Sequence, residues 1–231
     1  LLSFLPESDV TRIVDYARGI GKRSFAAMVP QNAYGNVVEA AFKQEVARKG
    51  GRLVVFERYG TDRAMAVRNV AQALGSVDAL FLADDGDAVV AVANALTAAG
   101  ANLRRVQLLG TGLWDSPRVF ASATMHGGLY AAPDPSGFRA FSGRYSAKYG
   151  QQPVRTATLA YDAVALVAAL ARTQGGQRFS ADVLTNPSGF AGIDGLFRFR
   201  PDGTNQRGLA VMRVAAGGGQ PVAGSPKSFG A

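Results

Sequence analysis

Three aspartates, Asp84, Asp85 and Asp87, stand close together in "ADDGDAVV", residues 83–90, directly after an apolar run. That spacing could serve phosphoryl transfer, with one aspartate as nucleophile, the next as general acid, and a magnesium ion on the phosphate. Such chemistry also needs a lysine and a second acidic pair at later strand ends. The runs that follow close instead on Gly110-Thr111-Gly112 and on Ala132-Pro133, so no catalytic residue is expected. The plainer role is structural: Asp87 caps a helix, and Asp84 or Asp85 remains as a polar group of a pocket. His126 is the single histidine, and one histidine makes no two-histidine metal motif. With no cysteine there is no disulfide, thiol nucleophile or thiolate zinc site. Neither a metal nor a cofactor is expected. Gly110-Thr111-Gly112 hints at a dinucleotide fingerprint, but the place of its third glycine holds Asp115. The nucleophile elbow, the P-loop and the His-Glu-x-x-His motif are all missing from the sequence.

What remains are turns suited to binding. In "VPQNAYGNVVEA", residues 29–40, an apolar strand breaks into Gln31, Asn32 and Tyr34 before Gly35 opens a helix. Tyr34 offers a flat apolar face and a hydroxyl, which fits a small ligand of mixed polarity; it could equally pack on its own lobe. Trp114, the only tryptophan, follows Thr111 and Gly112 in a similar turn and either lines a pocket or caps the end of a sheet.

These turns need a scaffold, and the apolar periodicity supplies one. Helices are predicted near 8–18, over Val38, Ala41, Phe42 and Val46, over Val67, Val70, Ala71 and Leu74, and over Val89, Val92, Ala93 and Leu96. Strands are predicted at 24–29, 53–59, 78–83, 106–110 and 128–133. They are continuous apolar runs, as in strands covered by helices on both faces. Strand and helix alternate, which predicts right-handed crossovers and an open parallel sheet. The fold class is α/β: a doubly wound parallel sheet with additional helices and a C-terminal β-hairpin. Ligands in such sheets sit at the carboxyl ends of the strands, where Asn32, Tyr34, Asp85, Thr111, Gly112 and Trp114 fall; these are the candidate ligand-binding residues.

Four regions are expected: a Rossmann-like lobe at 1–133, return helices at 134–186 belonging to or replacing another lobe, a C-terminal hairpin at 187–216 packing on the first lobe, and a flexible tail at 217–231. The helix 156–172 is apolar nearly all round and has no strands of its own to cover it. An exposed flank is expected there, with a homodimer through those helices, or their collapse onto the first lobe, as its consequence.

With 48% hydrophobic and 18% charged residues the chain can bury a real core. No run is long and apolar enough to span a bilayer. The net charge is +8, but the cations are dispersed and not interleaved with aromatics, so a solvated surface is expected and no nucleic-acid partner. Leu1 leads straight into a Pro-Glu-Ser-Asp helix start, which suggests a mature or shortened chain without a leader.

The order of blocks resembles a known family. "KRSFAAMVPQNAYGNVVEAAFKQEVARKGGRLVVFERY" is similar to the opening of the second lobe of type I periplasmic binding proteins of the leucine/isoleucine/valine-binding class. "VDALFLADDGDAVVAVANALTAAG" and "VQLLGTGLWDSPRVF" resemble the strands and helices that follow, and "FSGRYSAKYGQQPVRTATLAYDAVALVAAL" the return helices. The resemblance implies a non-catalytic binder that closes an interlobe cleft on a small molecule, an amino acid or an aromatic or organic acid. It implies ABC-transporter membrane subunits as partners and a periplasmic location. It places Tyr34 and Asp85 at ligand-contacting positions. Gly112 falls where amino-acid binders of the family often carry an acid, which counts against an α-amino acid unless Asp85 substitutes. The match starts at the crossover into the second lobe, so the first lobe is expected to be lacking. "FLPESDVTRIVDYARGIGKRSFAAMVPQNAYG" also resembles lipoprotein activators of penicillin-binding proteins, and the alternative partner is then a peptidoglycan synthase.

Overall fold

A computed structural model describes residues 1–173 and 175–229. Among them the strands are β1 (Ser24–Pro30), β2 (Arg52–Tyr59), β3 (Ala79–Leu82), β4 (Gln107–Gly110), β5 (Leu129–Ala132), β6 (Phe190–Gly192), β7 (Gly195–Phe199), β8 (Asn205–Arg207), β9 (Ala210–Ala215) and β10 (Gly218–Ala223). The α-helices are α1 (Pro6–Gly19), α2 (Ala33–Arg48), α3 (Ala64–Ala73), α4 (Gly86–Ala98), α5 (Pro117–Phe120), α6 (Pro135–Tyr149), α7 (Ala157–Thr173) and α8 (Ala181–Leu184). Two compact units result, one of Asp9–Ala132 with Val211–Ala223, the other of Leu1–Ser8, Pro133–Ala210 and Gly224–Ala231.

The first of these units is built on a sheet ordered β10-β9-β5-β4-β3-β1-β2, in which β1 to β5 run parallel. The continuous apolar runs are central strands: β1, β3 and β5 are buried along their whole length, whereas edge strand β2 is partly exposed. Phe42 of α2 stacks on Phe81 of β3 at 4.4 Å and meets Phe25 of β1 edge-on at 6.0 Å, so one helical residue ties two strands together. β1 lies between β2 and β3, which makes the β1/β3 boundary the point where the strand order reverses.

The tail region differs from expectation. Residues 217–231 were expected to be loose, yet Gly218–Ala223 forms β10, antiparallel to β9 through Gly218 opposite Ala215. A two-residue turn at Ala216-Gly217, with Gly218 at φ 123°, folds the chain back. Backbone pairing needs no hydrophobic pattern, and Gly219 lies so close to the Tyr130 hydroxyl that any side chain there would collide with it. Low complexity concealed this edge strand.

In the other unit β6, β7 and β8 make a small antiparallel sheet. The hairpin expected at 187–216 is present as β7 and β8 around Pro201-Asp202-Gly203, but its final segment is not part of it. β9 joins the large sheet, so the span divides between two sheets. The return helices thus do have strands in their own unit. Helix α7 is fastened by its polar residues. Asp162 accepts the Ile193 amide at 2.9 Å, and fully buried Asp194 accepts both Arg155 guanidinium nitrogens, at 3.1 and 2.7 Å. Thr158 donates to the same Asp194 carboxylate. Burial pushes the Asp162 carboxyl above its ordinary range. Along α7, Tyr161, Val164 and Val167 are 50%, 70% and 52% exposed, the flank that the sequence pattern predicted.

Candidate functional site

Each parallel strand delivers its last residues to one edge of the large sheet, and the side chains found there depend on what the turns can hold. Gly35 sits against the end of β1 so closely that a Cβ would overlap the Pro30 carbonyl oxygen. Only glycine lets α2 start on top of its own strand. Asn32 caps that helix, its side-chain oxygen accepting the Gly35 amide at 2.8 Å. The tight start turns Tyr34 back over the sheet.

The Tyr34 hydroxyl meets the Thr111 hydroxyl at 2.8 Å, spanning from the turn after β1 to the turn after β4. Thr111 is fully buried and Tyr34 is half-buried. Beside it, Tyr59 at the end of β2 donates to Asp84 after β3 at 2.7 Å. Both bridges cross the β1/β3 reversal, one over each side of it. Gly112 donates its amide to Asp9 Oδ2 at 2.9 Å, which brings a carboxylate from α1 to the same edge.

Burial holds both phenols well above the ordinary tyrosine value. For Tyr34 the Thr111 hydrogen bond opposes the shift, while the charges of Asp9 and Asp84 add to it; for Tyr59 the bond to Asp84 adds to it. Both hydroxyls therefore stay protonated, as neutral donors. Among the described residues no group of His, Cys, Asp or Glu side chains is arranged to hold a metal ion.

The candidate residues from the sequence separate into four kinds. Tyr34 and Thr111 touch. Asn32 and Asp85 are exposed helix caps; Asp85, not the expected Asp87, caps α4, accepting the Ala88 amide at 2.9 Å. Gly112 contributes only its backbone. Trp114 is the correction: it is fully buried, and no face of it is open to a ligand. Its ring fills the slot left by Gly110 and Gly128, where a Cβ would strike the indole, and its Nε1 donates to the Leu82 carbonyl at 3.1 Å. Tyr59, Asp84 and Asp9 were not among the candidate ligand-binding residues, although Asp84 was named beside Asp85 as the polar group of a pocket. The first two are the residues ending or following an apolar run, so a systematic reading of strand ends would have found them; Asp9 comes from a preceding helix and has no local signal.

The family profile described as periplasmic binding protein matches residues 1–220. The chain belongs to the periplasmic binding protein family. Solved structures agree in fold. A protein described as a branched-chain amino acid ABC transporter from Rhodospirillum rubrum superposes with a TM-score of 0.81 at 22% identity, over 96% of this chain and 66% of that one. A periplasmic ligand-binding protein of a branched-chain amino acid ABC transporter from Burkholderia xenovorans LB400 gives 0.77 at 20%, over 100% and 67%. A solute-binding protein of an ABC transporter from R. palustris, in complex with benzoate, gives 0.70 at 18%, over 100% and 66%. At these identities the likeness is one of fold. The chain spans 66% of the length of the Rhodospirillum protein, just under two thirds. Comparison with curated protein sequences returns no match. Within the periplasmic binding protein family the type I architecture, a mostly parallel sheet with flanking helices, is the one this chain has.

Proposed function

We propose that this chain binds a small organic solute at the carboxyl edge of the large sheet and serves an ABC-type importer in the periplasm, with no chemistry on the ligand. One observation carries the reading: the Tyr34–Thr111 hydroxyl bridge, placed across the strand-order reversal where ligands of open α/β sheets bind. Two hydroxyls share one hydrogen bond there: fully buried Thr111 holds the Tyr34 hydroxyl in place, and the half-buried Tyr34 hydroxyl keeps capacity for a second partner. A ligand with a polar group and an apolar body matches a tyrosine ring beside hydroxyls. Membership of the family, and relatives whose names include amino-acid transport and benzoate, support small molecules over a peptidoglycan synthase. Asn32, Asp85 and Gly112 join the site as the caps and backbone that shape it.

The test is a thermal-shift screen of the full chain against amino acids, aromatic acids and short peptides. A ligand present at about a hundred times its Kd stabilises the folded state by about 2.7 kcal/mol. One ligand class should raise the melting temperature, and Tyr34→Phe should remove up to about half of that rise, as a tenfold loss of affinity would. If no class stabilises the chain, or if the rise is undiminished in both Tyr34→Phe and Thr111→Val, the reading fails.

A further inference from the structure

The amino-terminal edge of the same sheet carries a feature that solute binding at Tyr34 does not use. A groove of about 870 Å³ runs between the stretches 97–108 and 123–128. Those stretches lead into β4 and β5, so the groove lies at the end of the parallel strands opposite Tyr34 and Thr111. Its floor includes the apolar Leu103, Val106 and Leu108, all buried, beside the polar Thr97, Asn102, Gln107 and Thr124. Arg104 and His126 stand in its lining, both exposed. None of its lining residues is acidic, and Arg104 has no ion-pair partner among the described residues.

The walls are held by hydrogen bonds. Gln107 Nε2 donates to the Leu108 carbonyl at 3.1 Å and, across to the facing loop, to the Gly127 carbonyl at 3.0 Å. His126 Nε2 lies 2.8 Å from the Phe120 carbonyl. A carbonyl can only accept, so Nε2 carries the proton and the ring is fixed against the loop. An arginine beside an acid-free lining with apolar side chains in its floor favours one chemistry. Its planar fork pairs with a carboxylate, and the floor removes the hydrocarbon part of the same molecule from water.

We propose that this groove is a second binding site, for small carboxylates with an aliphatic or aromatic body, separate from the edge at Tyr34. A bare inorganic anion leaves the floor unfilled, and an amine of the same length meets the Arg104 charge with the wrong sign.

Nuclear magnetic resonance of the ¹⁵N-labelled full chain tests this, with hexanoate as probe and hexylamine as control. His126 is the only histidine, so its ring signals need no assignment by elimination. Hexanoate should shift the His126 ring signals and the Gly127 and Gly128 amides saturably, while hexylamine leaves them in place. Arg104→Gln, a change at an exposed side chain, should weaken hexanoate at this site by about fivefold or more, as expected for a charge-assisted bond. Equal shifts with hexylamine, unchanged affinity in Arg104→Gln, or shifts confined to the Tyr34–Gly112 edge would overturn the proposal.

Discussion

Two turns of the large sheet look alike in sequence and end up opposite in structure. "QNAYG" after β1 and "GTGLW" after β4 each place one aromatic residue among glycines and polar residues at a carboxyl strand end. Tyr34 stays half-buried with its hydroxyl on Thr111; Trp114 is fully buried. The glycines decide it. Gly35 brings a helix start onto its own strand and so lifts Tyr34 over the edge. Gly110 and Gly128 instead open a slot beneath the second turn, and the indole fills it. An aromatic in a strand-end turn stays at the edge when the glycine next to it admits backbone, and becomes core when glycines admit the ring.

The largest break in that comparison should come from Trp114→Ala. It removes a buried ring and its bond to Leu82 and leaves the slot between Gly110 and Gly128 empty. The expected cost is about 3–5 kcal/mol, read as a lower urea midpoint, with no selective loss of ligand affinity in whatever fraction remains folded. If the variant keeps wild-type stability, the ring is not a core group. Tyr34→Phe should do the reverse. Loss of one hydroxyl bridge costs about 1 kcal/mol of stability. Ligand affinity should fall by up to about tenfold, the equivalent of 1.4 kcal/mol. A double-mutant cycle with Thr111→Val should show that the two losses are not additive, because both variants delete one bond. Additive losses would separate the two hydroxyls.

Much of this was legible beforehand, for reasons the two turns illustrate. Central strands such as "SFAAMV" read as buried because both faces are covered, and the helix stripes follow from a period of 3.6 residues. The chemistry-bearing turns could be placed at the carboxyl edge because parallel strands all end there. Which side chains meet could not be read. Tyr34 and Thr111 are 77 positions apart, and strand order, not spacing, brings them together. The burial of Trp114 depends on Gly128, which enters from β5. β10 was concealed for the opposite reason: its ladder is made by backbone, and "GGGQPVAG" shows no side-chain pattern to announce it.

The helix caps of the edge give a smaller test. Asn32→Ala and Asp85→Ala each delete one side-chain acceptor for a helix amide and should cost about 1 kcal/mol, measured by chemical denaturation. Both caps are exposed and sit beside the hydroxyl bridge, so ligand affinity should change less than in Tyr34→Phe. If Asp85→Ala abolishes binding while stability holds, Asp85 contacts the ligand directly and the bridge is not the centre of the site.

The smallest effect is alkaline. Burial raises the Tyr34, Tyr59 and Tyr130 phenols above the ordinary value of 10.0. In the unfolded chain these groups release their protons near that ordinary value, while in the folded chain they keep them. Above it the folded state therefore binds more protons than the unfolded one, and stability falls as pH rises. Absorbance at alkaline pH should show these three of the seven tyrosines ionising only together with unfolding. Tyr34→Phe takes away one of the three and should make the fall in stability shallower. Trp114→Phe, which adds no titrating group to the other turn, should leave the slope as it is. Equal slopes in wild type and Tyr34→Phe would mean that the Tyr34 hydroxyl is open to water, and the contrast between the two turns would shrink to a difference in ring burial alone.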